Sequence, residues 1–317
     1  MPATSTAPGS QRDEFPHSRI RHVQPWTKYT RGVLMPGIAD KAVRHWLVTG
    51  GSGGLGRRLV EHVLRQGDRV TATVRRAGAL SDLIEEYGGR LSEEVLDLTR
   101  LDDVDAVIHR LIDADPVDVA VNNAGFAVVG AAEEMSVEQI RGQLDVMLMA
   151  PLLITRALLA PMREQGGGRI IQISSMGGQV AIPTHSSYHA AKWGLEGFTE
   201  SVSQEVSGFD IHLTLVEPGG TRTGFKDNLT FASELGVYRG TAVDQVRRQL
   251  RDADANALSG DPDKIAAAVF QTTRQTDPPL RLTLGGDSYD AVHTALTGRL
   301  AALEDQRAVA ESIGFDR

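Results

Sequence analysis

The chain has 317 residues, 41% hydrophobic and 23% charged, with a formal net charge of −8. An acidic balance of this kind lacks the basic field that attracts phosphate backbones, so nucleic acid is not an expected partner. Cysteine is absent, which excludes disulfides, thiol nucleophiles and cysteine-held metal, and no metal site is expected.

The first 44 residues carry scattered Pro, Ser, Thr and Gly without a sustained hydrophobic period, and read as an extension, disordered over its opening dozen. Within it Trp26, Tyr29, Val33, Leu34 and Met35 offer apolar groups for the surface of the body or of a partner subunit. The opening MPATSTAPGSQRDEF has no apolar leader core. No apolar run approaches the ~18 residues of a membrane span. The expectation is a cytoplasmic protein with no membrane partner.

From His45 the pattern changes. WLVT reads as a buried strand leading into a glycine cluster, and LGRRLVEHVLRQG as a helix with Leu55, Leu59, Val63 and Leu64 on one face, ended by Gly67. RVTATV is a second strand, ALSDLIEEYGG a short helix, and LSEEVLDLT leads into a third strand ending near Asp97. LDDVDAVIHRLIDA is helical and VDVAV gives the fourth strand, before a long helix from about Ser136 to Arg163. GGGRIIQISS supplies the fifth strand, SYHAAKWGLEGFTESVSQEV a helix, and IHLTLVEPG the sixth strand. Helical stretches around 241–255 and 262–273 precede LRLTL, the seventh strand, and a terminal helix from about Tyr289 to Glu304. Near-continuously apolar strands alternating with helices predict an α/β fold, a parallel sheet covered on both faces. The body is a single doubly wound domain, residues 45–317.

LVTGGSGGLG, residues 47–56, puts Gly50, Gly54 and Gly56 between the first strand and the first helix. Glycine there permits a tight turn and close backbone approach to a pyrophosphate, which then rests on the positive end of the helix. The spacing is G-x-x-x-G-x-G rather than the commoner dinucleotide fingerprint G-x-G-x-x-G. Arg75 and Arg76 close the second strand where the adenosine ribose would sit. An acidic residue would bond a 2′-hydroxyl there, whereas arginine suits a 2′-phosphate, so NADP is favoured over NAD. Asp97 is placed to contact the adenine, and Val121–Gly125 (VNNAG) would bring backbone against the cofactor.

Tyr188 and Lys192 stand one helical turn apart in SSYHAAKWG. With TGGSGGLG, NNAG, ISS and YHAAK in this order, the chain resembles the short-chain dehydrogenase/reductase family over about residues 45–290. The resemblance implies a Rossmann-type domain with a seven-stranded parallel sheet, preceded here by the extension. It implies a catalytic set of Ser175, Tyr188 and Lys192, the serine being the one thirteen residues before the tyrosine rather than Ser174. It further implies cofactor contacts at Gly50, Ser52, Gly54, Leu55, Gly56, Arg75, Asp97, Leu98, Asn123, Ala124 and Gly125, with Tyr188, Lys192, Pro218, Gly219 and Thr221. Gly53 departs from the NADP-preferring relatives that carry a basic residue there, so the NADP reading rests on Arg75.

The implied activity is hydride transfer between NADP(H) and a carbonyl or secondary alcohol. The lysine ammonium would favour the phenolate by lowering a tyrosine pKa ordinarily near 10. The stretch LDVMLMAP puts Met147 where many relatives have an asparagine, which bears on how Tyr188 is reprotonated. Residues of about 220–257 would form a flap whose Phe225, Leu229, Phe231, Leu235, Val237 and Tyr238 imply an apolar or aromatic small-molecule substrate, or simply pack the flap on the body. Relatives pair through the long helix and the tyrosine-bearing helix, implying a homodimer or homotetramer. The alternative is a catalytically weak nucleotide-binding regulator or scaffold.

Overall fold

A computed structural model of the chain describes residues 38–224, 229–252 and 258–315, all within the compact unit Met35–Arg317. The strands are β1 (His45–Thr49), β2 (Arg69–Val74), β3 (Leu91–Val95), β4 (Val119–Asn122), β5 (Ala127–Val129), β6 (Gly168–Ile173), β7 (Ile211–Pro218), β8 (Leu229–Phe231) and β9 (Arg281–Leu284). The seven expected strands form one parallel sheet in the order β3-β2-β1-β4-β6-β7-β9. Order reverses between β1 and β4, the switch point at which open α/β sheets hold ligands beyond their strand ends.

The helices are α1 (Gly54–Arg65), α2 (Ser81–Tyr87), α3 (Leu101–Ala114), α4 (Val137–Leu144), α5 (Ala150–Glu164), α6 (Ser186–Glu205), α7 (Ala242–Asp252), α8 (Pro262–Thr272), α9 (Gly286–Glu304) and α10 (Arg307–Glu311). Successive side chains of a strand point to opposite faces. Trp46 and Val48 accordingly enter a core with Leu59, Val63 and Phe270, and Leu47 enters a second core with Ile108, Ile154 and Leu158. Both faces are therefore buried, which is why the strands read as continuous apolar runs.

Several boundaries differ from the sequence reading. The third strand stops at Val95 rather than near Asp97, and the terminal helix begins at Gly286 rather than Tyr289, with buried Ser288 in its first turn donating to the Glu217 carbonyl at 2.9 Å. The body also starts before His45. Arg44 is fully buried, donates to the Thr273 carbonyl at 3.0 Å and pairs with Asp68, while Lys41 pairs with Asp118 at 2.7 Å. The long helix is one 28-residue run from Val137 to Glu164, long and apolar enough to cross a membrane by length and composition. The sequence reading missed this because Thr155 and Arg156 interrupt the apolar run. Here the helix buries Ile154, Leu158 and Met162 in the second core. A two-stranded parallel sheet of β5 and β8 was not anticipated. It ties the flap to the segment after β4.

Candidate active site

The glycine turn lies at the carboxyl end of β1. Gly50 has φ of +67° and Gly54 of +54°, both in the left-handed region that disfavours a Cβ. Gly56 has no room for any side chain: a Cβ there would run into the Gly50 carbonyl and the Asn123 amide. Around Gly53, by contrast, nothing lies within 4 Å of such a Cβ. Ser52 is exposed and Leu55 half-buried, so this turn leaves its backbone open to a ligand. Thr223, from the turn after β7, faces Gly54, and the cleft between them is lined by Gly54, Arg57, Arg58, Arg222 and Thr223.

Asn123 fastens the glycine turn. Its backbone N–H donates to Thr49 Oγ1 at 2.9 Å, and its side-chain amide to the carbonyls of Thr49 at 2.9 Å and Gly50 at 3.3 Å. The amide N–H groups thus hold the turn. Thr49, which the sequence reading passed over, also accepts from Ala124 N at 3.2 Å and so fastens the Ala124–Gly125 backbone beside it. After β2, Arg75 and Arg76 are exposed and form no hydrogen bond or ion pair among the described residues. The Asp97 carboxyl is held below the usual range by the Thr99 N–H and hydroxyl, with the Arg75 charge adding to that. Leu98 is buried in the second core. Across the cleft, the Gly219 N–H donates to the Leu284 carbonyl and Gly220 to Asp287, while Thr221 bonds the Gly219 carbonyl.

The structure brings Ser175, Tyr188 and Lys192 together. Ser175 follows β6, accepts from Gly177 N at 3.0 Å and hydrogen-bonds Tyr188, while Ser174 turns away to donate to Glu196 at 2.6 Å. Lys192, one turn along α6, is buried, places Nζ 5.8 Å from the Tyr188 ring centroid and donates to the Ile173 carbonyl at 2.6 Å. Burial pushes its pKa down to about 8, against the opposing pull of Glu196. Tyr188 differs from expectation in one respect. Burial pushes the phenol up, and only the Ser175 hydrogen bond acts the other way. The ammonium is engaged by Ile173, and desolvation of the phenolate wins.

Two histidines beside the tyrosine in SSYHAAKWG's flank were not singled out. His185 and His189 each set a ring edge-on to Tyr188, at 5.9 and 5.8 Å between centroids. His189 Nε2 accepts from Ile182 N at 3.0 Å and Nδ1 lies 2.8 Å from the Gly177 carbonyl, which fixes the ring's orientation. Met147 is buried in a π-helical turn, Asp145–Met149, and packs towards Gly125, where Gln143 donates to its sulfur at 3.8 Å. The turn widens the helix, although its side chain offers no strong hydrogen-bonding group.

In the flap, Leu229 and Phe231 are half-buried in β8, Leu235 and Val237 are exposed, and Tyr238 donates to Glu133 at 2.6 Å. Phe225 lies outside the described residues. The flap is latched by Glu134, a buried carboxylate that accepts from Ala131 N at 2.7 Å and Leu235 N at 2.8 Å and pairs with buried Arg247 of α7. No group of side chains able to hold a metal occurs among the described residues.

The short chain dehydrogenase family model matches residues 44–233. Oxidoreductase BOA17 of Botryotinia fuckeliana is 34% identical over 247 residues, 77% of this chain and 90% of that one. The solved short-chain dehydrogenase from Streptomyces avermitilis aligns with a TM-score of 0.80 at 36% identity, over 87% of this chain and all (100%) of that one. A metagenomic short-chain oxidoreductase solved in complex with NADP aligns with a TM-score of 0.60 at 26% identity, covering 76% of this chain and 97% of that one. The chain belongs to the short-chain dehydrogenase/reductase family of NAD(P)-dependent oxidoreductases.

Proposed function

We propose that the protein interconverts a ketone or aldehyde and the corresponding alcohol with NADP(H), with Tyr188 as the acid–base residue. The observation that carries this reading is the Tyr188–Ser175 hydrogen bond with Lys192 one turn away on α6. The cradle at Gly53 and Gly54 fits a pyrophosphate, and the guanidinium groups of Arg75 and Arg76, unpaired among the described residues, fit a 2′-phosphate. The NADP complex of the metagenomic relative agrees with that choice.

When bound, the nicotinamide supplies or takes up the hydride. Backbone of the turn from Gly50 through Ser52 and Leu55 to Gly56 would hold the pyrophosphate. Asp97 and Leu98 would border the adenine, and Ala124–Gly125 and Pro218, Gly219 and Thr221 the nicotinamide half. Lys192 would bond the nicotinamide ribose. The upward push of burial keeps Tyr188 a phenol at neutral pH, the form that donates a proton to a carbonyl oxygen accepting hydride. Ser175 directs a hydroxyl at the same oxygen as charge develops there. In the oxidative direction the roles reverse, and Ser175 supports the phenolate.

Half-buried Leu229 and Phe231 favour an apolar or aromatic substrate beneath the flap. The same reading takes a cytoplasmic homodimer or homotetramer, which light scattering checks. The functional test follows nicotinamide absorbance with a panel of apolar ketones and secondary alcohols. Turnover with NADPH, reduced at least tenfold in Ser175→Ala, is expected. Tight NADPH binding without turnover of any carbonyl would instead identify a nucleotide-binding regulator.

A further inference from the structure

We propose that Glu196 is a positioning residue for this site, a buried carboxylate one helical turn beyond Lys192 that clamps the end of β6 and sets a negative charge on the helical face shared by Tyr188 and Lys192. The proposal rests on the acid–base reading above and adds a residue to it. Tyr188, Lys192 and Glu196 occupy successive turns of α6, so the three side chains form one line along a helical face. Glu196 is 5% exposed. One carboxylate oxygen accepts from Ser174 Oγ at 2.6 Å, and the other from Arg281 Nε at 3.1 Å. Ser174 directly precedes Ser175, the partner of Tyr188. The carboxylate therefore holds the strand end that carries one of Tyr188's neighbours and faces, along its own helix, the other.

The site is built around this carboxylate. Gly178, which follows the Ser175 turn, lies so close that a Cβ there would sit 2.7 Å from Glu196 Oε1. A side chain at 178 would displace it. The charges facing Glu196 are Lys192 and Glu200 on α6, Glu217 on β7 and Arg281 on β9. Arg281 Nε lies 3.5 Å from buried Glu217, whose other oxygen accepts from Thr283 at 2.8 Å. Lys192, Glu196, Arg281 and Glu217 thus alternate in sign, with half-buried Arg281 bridging the two buried carboxylates. A buried ammonium next to a single carbonyl would shed its proton near neutral pH. The Glu196 charge is what opposes that loss.

The test reads Lys192 directly, in the protein without cofactor, by NMR titration of ¹⁵N-labelled lysine side-chain amines. Lys192 titrates at about 8 in the unaltered chain, and in Glu196→Gln its midpoint falls by about one pH unit, the lower end for loss of one adjacent opposite charge. Ser174→Ala removes a hydrogen bond but no charge, so it leaves the Lys192 midpoint in place while lowering kcat. If the glutamine variant does not fold, Glu196→Asp carries the test with a smaller fall of the same sign. A Lys192 midpoint unmoved in a folded Glu196 variant overturns the proposal. Because the titration needs no turnover, its failure is distinct from that of the acid–base reading, which Tyr188→Phe tests.

Discussion

The two arginines after β2 give the sharpest handle on cofactor choice. Arg75 and Arg76 are exposed and unpaired among the described residues, so replacing both with alanine breaks no ion pair. Exposed substitutions away from packed groups change stability by within about 0.5 kcal/mol. The loss falls on the ligand. A charge-assisted hydrogen bond contributes about 1.5–3 kcal/mol, and solvent exposure places both arginines at the lower end. Together they would contribute about 3 kcal/mol, or two decades in Kd at 1.4 kcal/mol per decade. NADH has no 2′-phosphate, so its Kd should stay within about twofold of the unaltered protein's. Fluorescence titration of both nucleotides at one fixed ionic strength provides the assay, since phosphate affinity is screened by salt. NADPH affinity within threefold of the unaltered protein's, or an equal loss for NADH, would refute a 2′-phosphate site at these arginines.

Two further outcomes follow from the same geometry. Gly56→Ala drives a methyl group into the Gly50 carbonyl and the Asn123 amide; the turn must open, and calorimetry should show both nucleotides bound at least a hundredfold more weakly. Lys192→Met should stabilise the fold while abolishing activity. The folded pKa is lowered to about 8 from an ordinary 10.5, so burying the ammonium costs stability, in full below pH 8. That cost is relieved as pH rises from about 8 to 10.5, where the unfolded chain holds the extra proton. At pH 7 the gain is about 3 kcal/mol at most, less the lost bond to Ile173, and urea denaturation should show it shrinking above pH 8.

Much of the architecture is legible in the sequence because its signals are local. Alternating apolar strands and amphipathic helices mark the doubly wound sheet, and the family resemblance implies Ser175, the serine that bonds the phenol. What escapes is non-local. β5 and β8 are three residues each and pair across about a hundred residues, Ala127 with Leu229, so neither has a period to detect. Glu134 and Arg247 look like surface charges until the fold buries them together. Asn123 shows the same limit at the site: only the coordinates reveal its amide donating to the Thr49 and Gly50 carbonyls. The direction of the Tyr188 shift also depended on burial, which spacing on a helix does not report.

The most direct measurement is single-turnover reduction of a ketone by NADPH in Tyr188→Phe, with nucleotide binding measured alongside. Removing one hydroxyl should leave NADPH affinity within a few-fold and slow product formation by about 10²–10⁴, the range for a positioned general acid. Reduction at the unaltered protein's rate would contradict the assignment of Tyr188 as the proton donor.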